Sequence, residues 1–327
     1  WSCYARTRLL ASPWRAIALQ RFRFSDHKSR SPTHRYSTGT AGHTENRIQL
    51  ITVSSIRKLN QIQQFFDDRP RISQLAFFAF GTLLTLTFAP FGLYILMPVF
   101  FLPVLFSCLY FPPRTTAKHI FWYGAGLFLS GTYWLYISIH VFGQAPLWVA
   151  MIIMICLILI MASYCSVAGW MVSRLVNGDA WRLLLIAPSA WITIEWLRGW
   201  FLSGFPWLAI GYSQIDSPLA GWMPLIGIYG TSFLAVLSSS ALLIVIIHHG
   251  RQRWQAVGIV LLPWIIGAAL QPIQWTEATD QSLRTTIVQG GILQDQKWLP
   301  KQFQPTLDLY RNATLEHPES DLIVWPE

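Results

Sequence analysis

His119–Ser173, HIFWYGAGLFLSGTYWLYISIHVFGQAPLWVAMIIMICLILIMASYCSVAGWMVS, contains no Asp, Glu, Lys or Arg. A hydrocarbon core about 30 Å thick takes about 20 mostly apolar residues per helix, so this stretch is long enough for two crossings. Gly143-Gln-Ala-Pro146 offers the break between them. The interval between Arg71 and Arg114 is equally free of formal charge and fits two more spans, turned at Pro90-Phe91-Gly92. Leu183–Trp200 predicts a fifth, interrupted only by Glu195 and Arg198; Met223–Ile247 predicts a sixth, and Ala256–Leu270 a shorter seventh. The fold class expected is a polytopic α-helical membrane domain over residues 61–271.

Composition agrees. The 327 residues are 53% hydrophobic and only 12% charged, which argues against a soluble domain, a disordered chain and a collagen-like one. Four cysteines are too sparse for a disulfide scaffold. The formal charge of +9 falls wholly within residues 1–58, where basic residues run from Arg6 to Lys58 against only Asp26 and Glu45. The rest of the chain is balanced, so there is no basic face for phosphates and no expectation of nucleic acid as a partner. Residues 1–60 read as a disordered basic leader, extraneous to the fold: an upstream extension of the gene model, with an organelle transit peptide as the alternative for such a composition.

Lys and Arg mark the sides of the membrane. Arg57, Lys58, Arg69 and Arg71 precede the first span, Arg114 and Lys118 separate the second from the third, Arg174 and Arg182 the fourth from the fifth, and Arg251 and Arg253 the sixth from the seventh. Every alternate loop is basic, which places the amino end in the cytoplasm and, after seven crossings, everything beyond about Gln271 outside. Trp and Tyr gather at the ends of the spans, as in an interfacial aromatic belt.

Beyond Arg284 the pattern changes. Arg284–Gln289 alternates as a strand does, and Pro300–Leu315 places Phe303, Leu307, Tyr310 and Leu315 at helical spacing. Asp321-Leu-Ile-Val-Trp-Pro-Glu327 is a short apolar run suited to a strand buried on both faces of an α/β layer, with a carboxylate delivered at its end.

Within the spans, Glu195 and Arg198 stand at i and i+3 on one helical face and can pair. Intramembrane ionisable residues are functional by default; a neutralised structural pair near the outer interface, with Arg198 snorkelling, is the competing reading. Gly204-Phe-Pro-Trp207 and Gly211–Pro218 break the helix, so this segment reads as a re-entrant or interfacial loop. Cys108, Cys156 and Cys165 lie in spans as small hydrophobes, and Cys3 lies in the leader. No His or Cys spacing suits a metal, and Gly290-Gly291 lacks the spacing of a phosphate loop.

Several of these stretches together resemble one family, the bacterial apolipoprotein N-acyltransferases. They are Phe88-Ala-Pro-Phe-Gly92, Gly131–Ile139, Pro188-Ser-Ala-Trp191, Glu195–Trp200 running into Gly204–Trp207 and Gly211–Gln214, and Gly227-Ile-Tyr-Gly230. Val288-Gln-Gly290, Lys297-Trp298 and Trp325-Pro-Glu327 follow in the same order. The resemblance covers about residue 72 to the last residue. It implies an inner-membrane enzyme whose residues 280–327 begin a periplasmic nitrilase-like αββα sandwich domain. It also implies transfer of an acyl chain from a phospholipid donor to the α-amino group of the amino-terminal diacylglyceryl-cysteine of an apolipoprotein acceptor, through a Cys thioester. Glu327 matches the family's general base, and Trp298 an aromatic near its active site. Trp207, Glu195 and Arg198 are the candidate substrate-binding residues of the membrane platform.

The resemblance implies no cofactor. The Lys and Cys of the family's triad have no match up to Glu327, so the chain is expected to be an inactive, carboxy-terminally truncated piece. Gly291 and Leu293 stand where the family often has Asn or Asp and Pro. A multi-pass transporter with a small external domain, or a membrane scaffold, is the alternative; the chain shows none of the internal repeat common in transporters.

Overall fold

The computed structural model describes residues 61–201, 204–277, 279, 282–294, 296–297 and 299–326. The leader expected at residues 1–60 lies outside them. The chain divides into two compact units: one runs up to Ser130 and resumes at Ile160–Gln271, and the other holds Gly131–Leu159 and Pro272–Glu327.

In the first unit, residues 61–68 are helical, and α1 (Pro70–Leu84), α2 (Met97–Tyr110) and α3 (Pro113–Gly131) follow. α4 (Leu147–Val176) starts in the second unit and ends in the first; α5 (Leu183–Trp200), α6 (Met223–Ile247) and α7 (Gly250–Leu270) complete the helical set. Proline near the start of α1, α2 and α6 sits where a missing N–H costs nothing and φ is already helical. Asn177 and Gly178, both at positive φ, end α4 in the left-handed conformation usual after a helix.

The helices pack through bare glycine faces. A Cβ on Gly81 of α1 would strike the Tyr123 carbonyl of α3, and one on Gly126 would strike the Phe78 carbonyl of α1. On another face of α3, a Cβ at Gly124 would lie 3.0 Å from Cα of Ala162 on α4. Close approach through small residues is how apolar helices gain contact where lipid offers no hydrophobic drive.

One buried polar knot joins α1, α2 and α3. Nε2 of His119 lies 2.7 Å from Oγ of Ser73, and Nδ1 lies 2.9 Å from Oγ of Ser107. A neutral imidazole carries one donor and one acceptor, which two hydroxyls satisfy together. The Phe77 ring stacks on the imidazole at 4.4 Å. Thr116 Oγ1 donates to the Ser107 carbonyl at 2.9 Å, and Ser173 Oγ of α4 donates to the Phe111 carbonyl at 3.0 Å. His119→Ala orphans both serines and removes a stacked ring, so we expect a loss of about 2–4 kcal/mol, read from thermal unfolding in detergent. Ser107→Ala alone should cost about 1 kcal/mol.

Among the described residues, three helical runs are long and apolar enough to cross a membrane: Leu147–Val176, Pro218–Ile247 and Gly250–Leu270. A fourth appears if Pro113–Gly131 and Leu135–Phe142, bent by 60°, are one span. A count of seven needs α1, α2 and α5 as well, of 15, 14 and 18 residues. The break expected at Gly143–Pro146 begins earlier, where α3 ends at Gly131. Apolar residues continue through the bend, so hydropathy does not register it. His140 Nδ1 then lies 2.8 Å from the Ala145 carbonyl.

In the second unit, β1 (Thr285–Ile287), α8 (Pro300–Leu315) and β2 (Leu322–Val324) form a βαβ unit. The strands are parallel, with Thr285 opposite Leu322 and Ile287 opposite Val324. The Trp325 ring stacks on Tyr310 at 5.6 Å, and its Nε1 donates to Thr314 at 3.0 Å. The strand expected to be buried on both faces is not so here: Leu322 and Val324 of β2 are exposed, as is Ile287 of β1. One helix covers one face of a parallel pair, and such sheets need both covered.

Candidate functional site

α5 ends at a loop that folds back on it, and its two ionisable residues hold that loop. Glu195 and Arg198 are each 4% exposed. Oε1 of Glu195 accepts from the indole Nε1 of Trp191 at 2.8 Å and from the backbone N–H of Ile210 at 2.8 Å. Trp191 is one helical turn before Glu195, so the first contact is local; the second reaches across the loop. Arg198 Nη1 donates to the Trp207 carbonyl at 2.5 Å, and its guanidinium lies 5.0 Å from the centre of the Phe128 ring. The backbone adds to this, with Phe205 N–H donating to the Arg198 carbonyl at 2.7 Å.

Two sequence expectations change here. Glu195 and Arg198 do not form a direct ion pair within 4 Å; each holds a different point of the loop. Nor does Arg198 snorkel, because its head group is buried under the loop it binds. The break of the helix into a loop is as expected, with 3₁₀ turns at Ile210–Gln214 and Pro218–Trp222.

The loop is fixed at its far end as well. Gly211 N–H donates to Oγ of Ser232 on α6 at 2.7 Å, and a Cβ on Gly211 would strike the Ile228 carbonyl. α6 is broken beside that contact, at Gly227 with φ 63° and ψ −171°, a conformation open essentially to glycine alone. Gln271, just after α7, donates to the Ser217 carbonyl at 3.0 Å, and Trp222 donates to the Pro263 carbonyl of α7 at 2.8 Å. The fixed loop and the end of α5 present a collar of aromatic rings: Trp196, Trp200, Phe201, Trp207 and Tyr212 are all at least 42% exposed.

Of the candidate residues, Glu195, Arg198 and Trp207 are thus brought together. Trp298 and Glu327 lie outside the described residues. Sequence reasoning missed Ser232 and the positive φ of Leu208. Trp191 could have been found, since it shares a face with Glu195 at i−4. The arrangement uses Oε1 of the carboxylate to accept structural hydrogen bonds, so what it does chemically is hold a loop.

Residues 80–241, which include Glu195, Arg198, the loop and Ser232, match the family model described as the apolipoprotein N-acyltransferase N-terminal domain. Curated relatives named apolipoprotein N-acyltransferase include one from Pseudomonas paraeruginosa (strain DSM 24068 / PA7), 36% identical over 253 residues, which are 76% of this chain and 50% of the relative. One from Vibrio cholerae is 35% identical over 252 residues, 76% of this chain and 49% of the relative. One from Azotobacter vinelandii is 38% identical over 254 residues, 76% of this chain and 49% of the relative. The chain belongs to the apolipoprotein N-acyltransferase family. It spans about half the length of the curated relatives it matches.

Proposed function

We propose that this chain is the membrane platform and the first part of the exported domain of an enzyme that N-acylates lipoproteins. A phospholipid is the acyl donor, and an apolipoprotein bearing an amino-terminal diacylglyceryl-cysteine is the acceptor. A thiolate attacks the donor's ester carbonyl and releases a lysophospholipid; the acceptor's amine then attacks the thioester and returns the thiol. In this reading Glu327 is the general base that takes the thiol proton, and Trp298 packs near the acyl chain. The nucleophile and an oxyanion-stabilising Lys belong to the same nitrilase-like domain, of which residues 280–327 are the start.

The platform crosses the inner membrane seven times, with α1, α2 and α5 completing the count, the amino end cytoplasmic and the domain periplasmic. Two membrane-held substrates then meet in one plane, which removes much of the entropic cost of bringing them together. The identity to proteins of that name over 76% of the chain carries the reading. The aromatic collar supports it, because rigid amphipathic rings suit the lipid interface.

The test is acylation by the product of the native gene in cells depleted of their own enzyme. Mass spectrometry of a lipoprotein amino terminus should show diacylated precursor becoming triacylated; solute flux into vesicles with no acyl transfer would favour a transporter instead. Trp207 offers a finer probe, because its carbonyl, which Trp207→Ala keeps, accepts from Arg198. Trp207→Ala should therefore leave the melting temperature within about 2 °C and raise KM for phospholipid roughly three- to tenfold.

A further inference from the structure

A basic and aromatic patch marks the start of α7. Arg251 and Arg253 are exposed there, and neither forms an ion pair among the described residues. Trp254 follows them, 73% exposed, where the apolar body of the span begins. Arg251 and Trp254, at i and i+3, share one face of the helix, and Arg253 shares another with Ala256. Ala256 packs with Ala180 and Ile244, which sets Arg253 beside the turn Asp179–Arg182. In that turn the Trp181 ring lies 6.0 Å from the ring of His248, and the Asp179 carboxylate is engaged by the Trp181 N–H and by Arg182. The helix itself adds to the positive potential: its N-cap, His249, supplies no side-chain cap, and its first turn holds no acidic residue. Two arginines at that end oppose the helix dipole.

We propose that this patch binds the head group of an anionic phospholipid, with Arg251 and Arg253 as the phosphate contacts and Trp254 packed along the glycerol and upper acyl chain. An anion here turns three mutually unfavourable neighbours, two guanidiniums and an uncapped helix end, into its ligands. A lipid is favoured over a soluble anion for two reasons. The arginines leave the span directly, within a Debye length of the head-group plane, and the exposed indole beside them suits the interface. The patch lies at the far end of α7 from Gln271 and the loop it holds, about 30 Å along a 21-residue helix. It is thus separate from the aromatic collar, and the inference rests on the reading above only for the leaflet, which is the cytoplasmic one.

Melting temperatures of the full chain in nanodiscs test it, with phosphatidylcholine alone compared with phosphatidylcholine mixed with phosphatidylglycerol. The anionic lipid should raise the parent's value by about 3–5 °C. The double variant Arg251→Gln, Arg253→Gln should lose most of that rise, yet melt no lower than the parent in phosphatidylcholine alone, because two charges that oppose the dipole are gone. A control, Arg71→Gln with Arg114→Gln, removes the same charge from exposed positions on α1 and α3 and should keep the rise. No rise in the parent, an equal loss in both double variants, or a lower value for the first variant in phosphatidylcholine alone would overturn the site. The same rise from glycerol phosphate added to phosphatidylcholine nanodiscs would make the ligand a soluble anion and overturn the lipid. No readout depends on acyl transfer, so failure here is distinct from failure of the acyl-transfer reading.

Discussion

Gly126→Leu is expected to abolish the packing of α3 on α1 and to leave little folded protein in the membrane. A Cβ at this position alone would occupy the place of the Phe78 carbonyl, and Gly81 meets the Tyr123 carbonyl in the reciprocal contact. Both obstacles are backbone within a helix, so no rotamer change makes room and one helix must move away. Thr82, whose hydroxyl reaches the Gly126 carbonyl at 3.4 Å, and the His119 knot would separate with it. Overpacking of this kind costs up to about 3 kcal/mol, and more where backbone must shift. Gly258→Leu on α7, where a Cβ meets nothing within 4 Å, is the control. It should stay within about 0.5 kcal/mol of the parent. Fluorescence-detected size exclusion of the two variants distinguishes them, and equal yields would mean that the α1–α3 contact is looser than described.

Glu195→Ala should free the loop. The substitution removes the acceptor of the Trp191 and Ile210 N–H groups and leaves the buried charge of Arg198 without its counter-charge. Breaking one side of a buried charged arrangement costs about 3–5 kcal/mol. Hydrogen exchange at the Ile210 amide reports this locally. Its protection should fall by at least about a hundredfold, since each tenfold corresponds to about 1.4 kcal/mol. Glu195→Gln keeps a carbonyl oxygen for both donors and should lose about 1–2 kcal/mol. If the Ile210 amide exchanged equally in the parent and the Ala variant, the loop would be held by its backbone bonds and Gly211 alone.

The long elements were legible because one physical signal, an apolar run bounded by charge or proline, sets both their existence and their ends. Leu183–Trp200 and Met223–Ile247 begin and end in the structure where the sequence places them. The bend after Gly131 was not legible, since GTYWLY is as apolar as what precedes it. The break at Gly227 was hidden in the same way inside a uniformly apolar helix. At the site, the types of residue were readable and their partners were not. Glu195 and Arg198 at i and i+3 suggest a pair, yet each is drawn to backbone groups that the loop brings from 15 and 9 residues away. Nothing in local spacing encodes that competition. The exposed faces of β1 and β2 show the same limit, because burial of a strand depends on what else packs against it.

The orientation on which the proposed chemistry rests can be measured directly. In a cysteine-free background, Glu319→Cys and Lys118→Cys each place one thiol at an exposed position, the first after β1 and α8 and the second at the start of α3. A membrane-impermeant maleimide added to cells with a permeabilised outer membrane should label position 319 at once, and position 118 only after the inner membrane is broken. Labelling of 118 but not 319 in intact spheroplasts would put the carboxy-terminal segment in the cytoplasm, where no exported lipoprotein could meet it.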